Sequence, residues 1–199
     1  MKFTVGLVVG FVIAGSGAFA DEIADLVQAK CLKCHNDTPD EFDSTHFPTL
    51  GAQTSEYLFQ SMKAYVTKDR SSDWAVAMMT KRVNKYDDTT LRAIADYYSK
   101  TPAPKPAAGD PALIAAGKEI YEKGIKAKKV TACSACHGDA AEGDEENARL
   151  AGQFSWFLID QMAGYKSGAI KNQTAMTKIA NAMTDEEVAA VSVYLQSLE

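Results

Sequence analysis

Apolar positions in this chain recur mainly at helical spacing. In "LRAIADYY" (91–98), Leu91, Ile94, Ala95 and Tyr98 fall on one face, and near the end Val188, Val191 and Leu195 do the same. Start signals accompany the stripes. Asp110 followed by Pro111 predicts an N-cap and first turn for a helix through Tyr121. Thr184 with Glu187 predicts a capping box for the last helix, and Asp88 is placed to cap the 91–98 helix. No segment alternates with a period of two convincingly enough to predict a strand. The predicted fold class is all-α.

One stretch has no period. After Lys2, Phe3 to Ala14 is an almost unbroken apolar run, followed by Ala18-Phe19-Ala20. A positive start, a short apolar core and a small-x-small end predict a signal peptide at 1–20, cleaved before Asp21. The rival, a retained anchor, would need a longer run to cross a bilayer. The mature chain is therefore expected to be soluble and in the periplasm.

The remaining pattern is written twice. Over "GAQTSEYLFQSMKAY" (51–65) and "AGQFSWFLIDQMAGY" (151–165), Gln53 matches Gln153, Leu58 matches Leu158, Met62 matches Met162 and Tyr65 matches Tyr165. Tyr97 matches Tyr194 further on. Between the copies, "KTPAPKPAAGDPA" (100–112) is rich in proline and predicts an extended, semi-rigid spacer. The expected domains are 21–100 and 110–199, with a linker at 101–109. Units of this size are short of core, so each needs help from a bound group or a crosslink.

The chemistry is repeated with the pattern. All four cysteines and two of the three histidines form C-x-x-C-H twice, as Cys31, Cys34, His35 and as Cys133, Cys136, His137. An exported chain could use four cysteines as two disulfides, and a C-x-x-C pair could be a redox dithiol or half a zinc site. The adjacent histidine favours another use, in which two thiols become thioethers of haem and the imidazole binds the iron. Two covalent haem c groups are expected, with His35 and His137 each supplying one axial ligand.

For the sixth position only His46 remains among the histidines, so methionine is the better source. Met62 and Met162 match but fall inside amphipathic stripes, where methionine usually fills core. Met79 and Met176 also match, in stretches read as irregular just before the last helix of each unit; Met78 is a rival that breaks the register. A thioether favours ferrous iron and fills the coordination sphere, which suits electron transfer rather than catalysis.

The ordered set of motifs resembles the dihaem cytochrome c4 family, two class I cytochrome c domains in tandem, over essentially the whole mature chain. The first unit offers Pro48, Leu50 and Gln53, then Met79 ahead of "YDD"; the second offers Leu150, Gly152 and Gln153, then Met176 ahead of "MTDEE". The resemblance implies that Pro48, Gln53 and Gln153 line the haem pockets and that Met79 and Met176 are axial ligands. It also implies that a proline carbonyl orients the ligand histidine, a role matched by Pro48 but falling to Ala148 in the second unit. Two further departures are Asn36, where the family usually has glycine, and Gly51-Ala52 in place of Ala-Gly.

The implied function is a carrier, not an enzyme, passing single electrons from an upstream dehydrogenase to a terminal oxidase or reductase. It would be a monomer or weak dimer, with peripheral contact to membrane complexes. The alternative is a dihaem subunit, or a dedicated acceptor, of a sulfur-oxidising enzyme such as flavocytochrome c sulfide dehydrogenase. Charge agrees with either: the net of −5 becomes −6 once Lys2 leaves with the signal peptide, which argues against nucleic-acid partners. "KAKK" (126–129) and "DAAEGDEE" (139–146) flank the second motif and are expected to be solvated loops. Any steering by them would make the electron-transfer rate depend on salt.

Overall fold

A computed structural model of the chain describes residues 15–35, 47–71 and 73–199, without the side chains of residues 15, 16 and 73–77. The spare histidine, His46, lies outside these residues, as does Asn36. Among the described residues there are helices and two isolated bridges but no strand. The first unit contains α1 (Gly15–Lys30), α2 (Ser55–Thr67), α3 (Asp73–Val83) and α4 (Asp88–Ser99). The second contains α5 (Pro111–Lys123), the single turn α6 (Ser134–His137), α7 (Ser155–Ser167), α8 (Thr174–Ala182) and α9 (Asp185–Gln196). Among the described residues no helix is long and apolar enough to cross a membrane.

Each unit has its own core. Ile23 and Val27 of α1 pack with Leu58 and Phe59 of α2 and with the buried stripe Leu91, Ile94, Ala95 and Tyr98 of α4. In the second unit Tyr121, Leu158, Val188, Val191 and Leu195 form the equivalent cluster. Helix α5 packs closely on α9, and Gly117 lets it. A Cβ there would lie 2.1 Å from the backbone oxygen of Ala190.

The caps follow the local chemistry, with one shift. Asp110 accepts from the N–H groups of Ala112 and Leu113, and Thr184 and Glu187 close a full capping box on α9. At α4 the cap is Asp87, not Asp88: its carboxylate accepts from Thr90 N–H at 2.8 Å. The two aspartates are adjacent, and only Asp87 has the extended backbone an N-cap needs; Asp88 occupies the first helical position.

Both units carry the same tight turn before α2 and α7. Gln53 N–H returns to Leu50 O, and Gln153 N–H to Leu150 O, each at 3.2 Å. The third turn residue is left-handed in both, Gly152 at φ 70° but Ala52 at φ 52°. That region costs a residue with Cβ roughly 1–2 kcal/mol, partly offset by the larger entropy glycine loses on folding. Ala52→Gly is therefore expected to stabilise the protein by about 0.5–1 kcal/mol. Denaturant unfolding checks this, and an unchanged or lower midpoint would contradict it.

The segment between the units is mostly exposed but is held at two points. Ala107 N–H donates to Gln196 O at 3.0 Å, and Pro104 is buried beside Gly152. A second join is made largely by backbone. Ser71 N–H donates to Ala169 O at 2.7 Å and Lys171 N–H to Asp69 O at 2.8 Å, an antiparallel pair with Arg70 opposite Ile170. The units are thus related by an approximate two-fold axis that passes beside these two residues.

Candidate functional site

The five-residue motifs form single helical turns. His35 N–H and Cys34 N–H both return to Cys31 O, at 2.9 and 3.0 Å, and His137 and Cys136 do the same to Cys133 O at 2.9 and 3.1 Å. Residues three and four apart on such a turn share a face, so both thiols and the imidazole of each motif address one space. Tyr121, fully buried, anchors the second turn through a hydrogen bond from its hydroxyl to Gly138 O at 2.5 Å.

Each imidazole is oriented from behind. His35 Nδ1 lies 2.9 Å from Pro48 O and His137 Nδ1 lies 2.8 Å from Ala148 O. A carbonyl can only accept, so Nδ1 carries the proton and the Nε2 lone pair is left for a metal. Burial lowers the pKa of both histidines and the carbonyl partner only partly opposes it, which keeps the rings neutral. The exchange of proline for Ala148 leaves this bond in place because a backbone atom makes it.

The thiols are poor candidates for redox exchange. Burial raises the pKa of Cys31 and pushes that of Cys133 up to about 11, whereas a dithiol catalyst needs a lowered pKa. Among the described residues no three His, Cys, Asp or Glu side chains converge to hold a metal ion.

Both motifs border one cavity of about 840 Å³ between the units, with Met79 and Met176 also on its wall. Neither methionine lies in an irregular stretch as expected: Met79 is in α3 and Met176 in the first turn of α8. Met176, Ile179, Ala180 and Met183 do recur at helical spacing, but over too few residues to stand out in the sequence. Met78, Met62 and Met162 line the cavity as well. Pro48, Gln53 and Gln153 are on the wall too, and both glutamines are buried with their carboxamides bonded across to the opposite unit.

The cavity suits an iron macrocycle with acidic side arms. Its wall is mostly apolar, and it offers imidazole, thioether and paired thiols as donors. It also holds two orphaned nitrogens: among the described residues, the buried Nε atoms of Arg70 and Arg149 have no hydrogen-bond partner. Arg70 is only 4% exposed. Its Nη1 donates to Gln161 of the other unit at 2.8 Å and its Nη2 to the Tyr57 hydroxyl at 3.3 Å. A buried guanidinium surrounded by neutral groups calls for an anion, and haem propionates would supply one.

The charged loops beside the second motif have structural work. Lys128 pairs with Glu187 at 2.7 Å, tying the 126–129 run to α9, while Lys126 and Lys129 stay exposed. In the acidic loop Asp144 accepts from the N–H groups of Glu146 and Asn147, and these bonds lower its pKa.

Comparison with known proteins follows the same lines. The cytochrome c family model matches residues 114–199. Cytochrome c4 of Azotobacter vinelandii is 30% identical over 181 residues, 85% of each chain. The thiosulfate dehydrogenase electron acceptor of Thiomonas intermedia is 28% identical, covering 84% of this chain and 77% of that one. The solved cytochrome c4 of Acidithiobacillus ferrooxidans superposes with a TM-score of 0.78 at 29% identity, covering 85% of this chain and 99% of that one. The repeated C-x-x-C-H turns, the shared helical architecture and an identity of 30% over 85% of a cytochrome c4 agree: the chain belongs to the cytochrome c4 family.

Proposed function

We propose that this protein is a periplasmic dihaem electron carrier, exported by a signal peptide at 1–20 and built of domains at 21–100 and 110–199. The observation that carries it is the twinned site, in which two C-x-x-C-H turns with carbonyl-oriented histidines face one inter-unit cavity. When bound, each haem supplies a one-electron ferric/ferrous couple. The chain's own residues do the rest. Cys31, Cys34, Cys133 and Cys136 would fix the groups as thioethers; His35 with Met79, and His137 with Met176, would hold the irons. Both ligand types are neutral, so neither would need to gain or lose a proton at the iron. The mostly apolar wall would limit water at the irons, and Arg70 and Arg149 would be the residues to pair with the propionates.

The test is a redox titration of the purified holoprotein with its optical spectrum. Uptake of two electrons per chain and a low-spin spectrum in both states are expected; uptake of only one electron, or a high-spin component, would overturn the reading. A second role is favoured by the resemblance to a thiosulfate dehydrogenase electron acceptor, namely service to one sulfur-oxidising enzyme. Purification from the native cell separates the two. A stable complex with a dehydrogenase supports the dedicated role, and a free monomer or weak dimer supports the diffusing carrier.

A further inference from the structure

The carbonyl that orients each ligand histidine belongs to a peptide group, and the N–H of that same peptide points to the other unit. In the Pro48–Thr49 peptide the carbonyl accepts from His35 at 2.9 Å, and the N–H donates to Gln153 Oε1 at 3.2 Å. In the Ala148–Arg149 peptide the carbonyl accepts from His137 at 2.8 Å, and the N–H donates to Gln53 Oε1 at 2.7 Å. The amide ends of the same side chains close each pair: Gln153 Nε2 donates to Thr49 O and Gln53 Nε2 to Arg149 O, both at 2.9 Å. Each Oε1 also accepts from the next residue of its own chain, Thr54 N–H or Phe154 N–H, at 3.0 Å. Those bonds fix which end of each carboxamide is oxygen.

We propose that Gln53 and Gln153 are positioning residues for the haem of the opposite unit, each setting how strongly the other unit's axial imidazole donates to its iron. A peptide whose N–H is hydrogen-bonded carries more negative charge on its oxygen, because bonded groups in a chain polarise one another. A stronger acceptor at Nδ1 draws that proton away and raises the basicity of the ring. A more basic imidazole favours ferric iron and lowers the reduction potential. Burial makes the effect count: Thr49 is 6% exposed, Gln53 7%, Gln153 6% and Ala148 8%, so water is poorly placed to replace a missing carboxamide. The wiring is reciprocal and crossed. It also explains why glutamine stands at this point of both repeats, since asparagine is one methylene shorter and a carboxylate lacks the donor for the second bond.

The proposal rests on His35 and His137 being the axial ligands. Its test uses the full-length holoprotein, with the midpoint potential of each haem and the Nδ1–H resonance of each ligand histidine assigned to its unit. Gln53→Leu is expected to raise the potential of the C-terminal haem and move the His137 Nδ1–H resonance upfield, with the N-terminal haem unchanged. Gln153→Leu is expected to do the reverse. Should a leucine variant fail to retain haem, Gln53→Asn and Gln153→Asn are expected to shift the same opposite-unit haem, by less. A shift confined to the variant's own unit, equal shifts at both haems, or no shift would each overturn the proposal. If instead the ring resonances of His35 and His137 in the wild-type protein carry no shift from a bound haem iron, the histidine assignment itself falls, so the two failures are told apart.

Discussion

Carbon monoxide is expected to leave the spectrum of the reduced wild-type protein unchanged and to bind half of its haem in either Met79→Ala or Met176→Ala. Each methionine lies on the cavity wall with an imidazole from the same unit on that wall, and is the thioether proposed for that iron. Deleting it opens one iron and leaves the other closed. The potential of the affected haem should fall by on the order of tenths of a volt, within the roughly 0.8 V range that axial ligands command. Met78→Ala serves as the control, because Met78 shares the cavity wall with Met79. If Met78→Ala admits carbon monoxide and Met79→Ala does not, the assignment in the first unit is reversed.

The second large effect is expected at Arg70. Arg70→Met removes two charge-assisted hydrogen bonds, one of them to Gln161 across the unit boundary. Such bonds contribute roughly 1.5–3 kcal/mol each, reduced by the cost of burying the cation, so a loss of about 2–4 kcal/mol is expected in thermal or denaturant unfolding. The potentials should move as well. A buried positive charge favours the state with one more electron, so its removal lowers the midpoint of the haem it faces. Arg70→Lys keeps the charge but not the fork, and should retain most of the potential while losing part of the stability. Unmoved potentials in Arg70→Met would show that the guanidinium does not face the cofactor.

How far these features were legible in the sequence depends on their range. Helices, caps and the C-x-x-C-H turns are written in residues three or four apart, so Thr184 with Glu187 and Asp110 with Pro111 could be read directly. Asp87 and Asp88 could not be ranked, because the choice depends on which backbone becomes extended. The helix holding Met176 has only 9 residues in which to show a period, and the one holding Met79 carries an unbroken apolar run, Trp74 to Met79, that shows none. Arg70 was invisible for another reason. Nothing local distinguishes it from a surface arginine, and its burial depends on Gln161, 91 residues further on, meeting it beside Tyr57 and Tyr65 of the preceding helix. The glutamines stood out as a repeated motif, but their partners lie 96 and 104 residues away.

The near-symmetry of the two units carries a constraint that the covalent link removes. Two separate copies of one unit would meet about a true two-fold axis, and whatever one copy placed beside it the other would have to place there too. At the 69–71 and 169–171 pair that would mean two buried guanidiniums facing each other, or none. A single chain can set Arg70 against Ile170. The tandem arrangement therefore allows what a homodimer of the same shape forbids: two halves that share a framework and hold different charge, so an electron can find one side lower than the other.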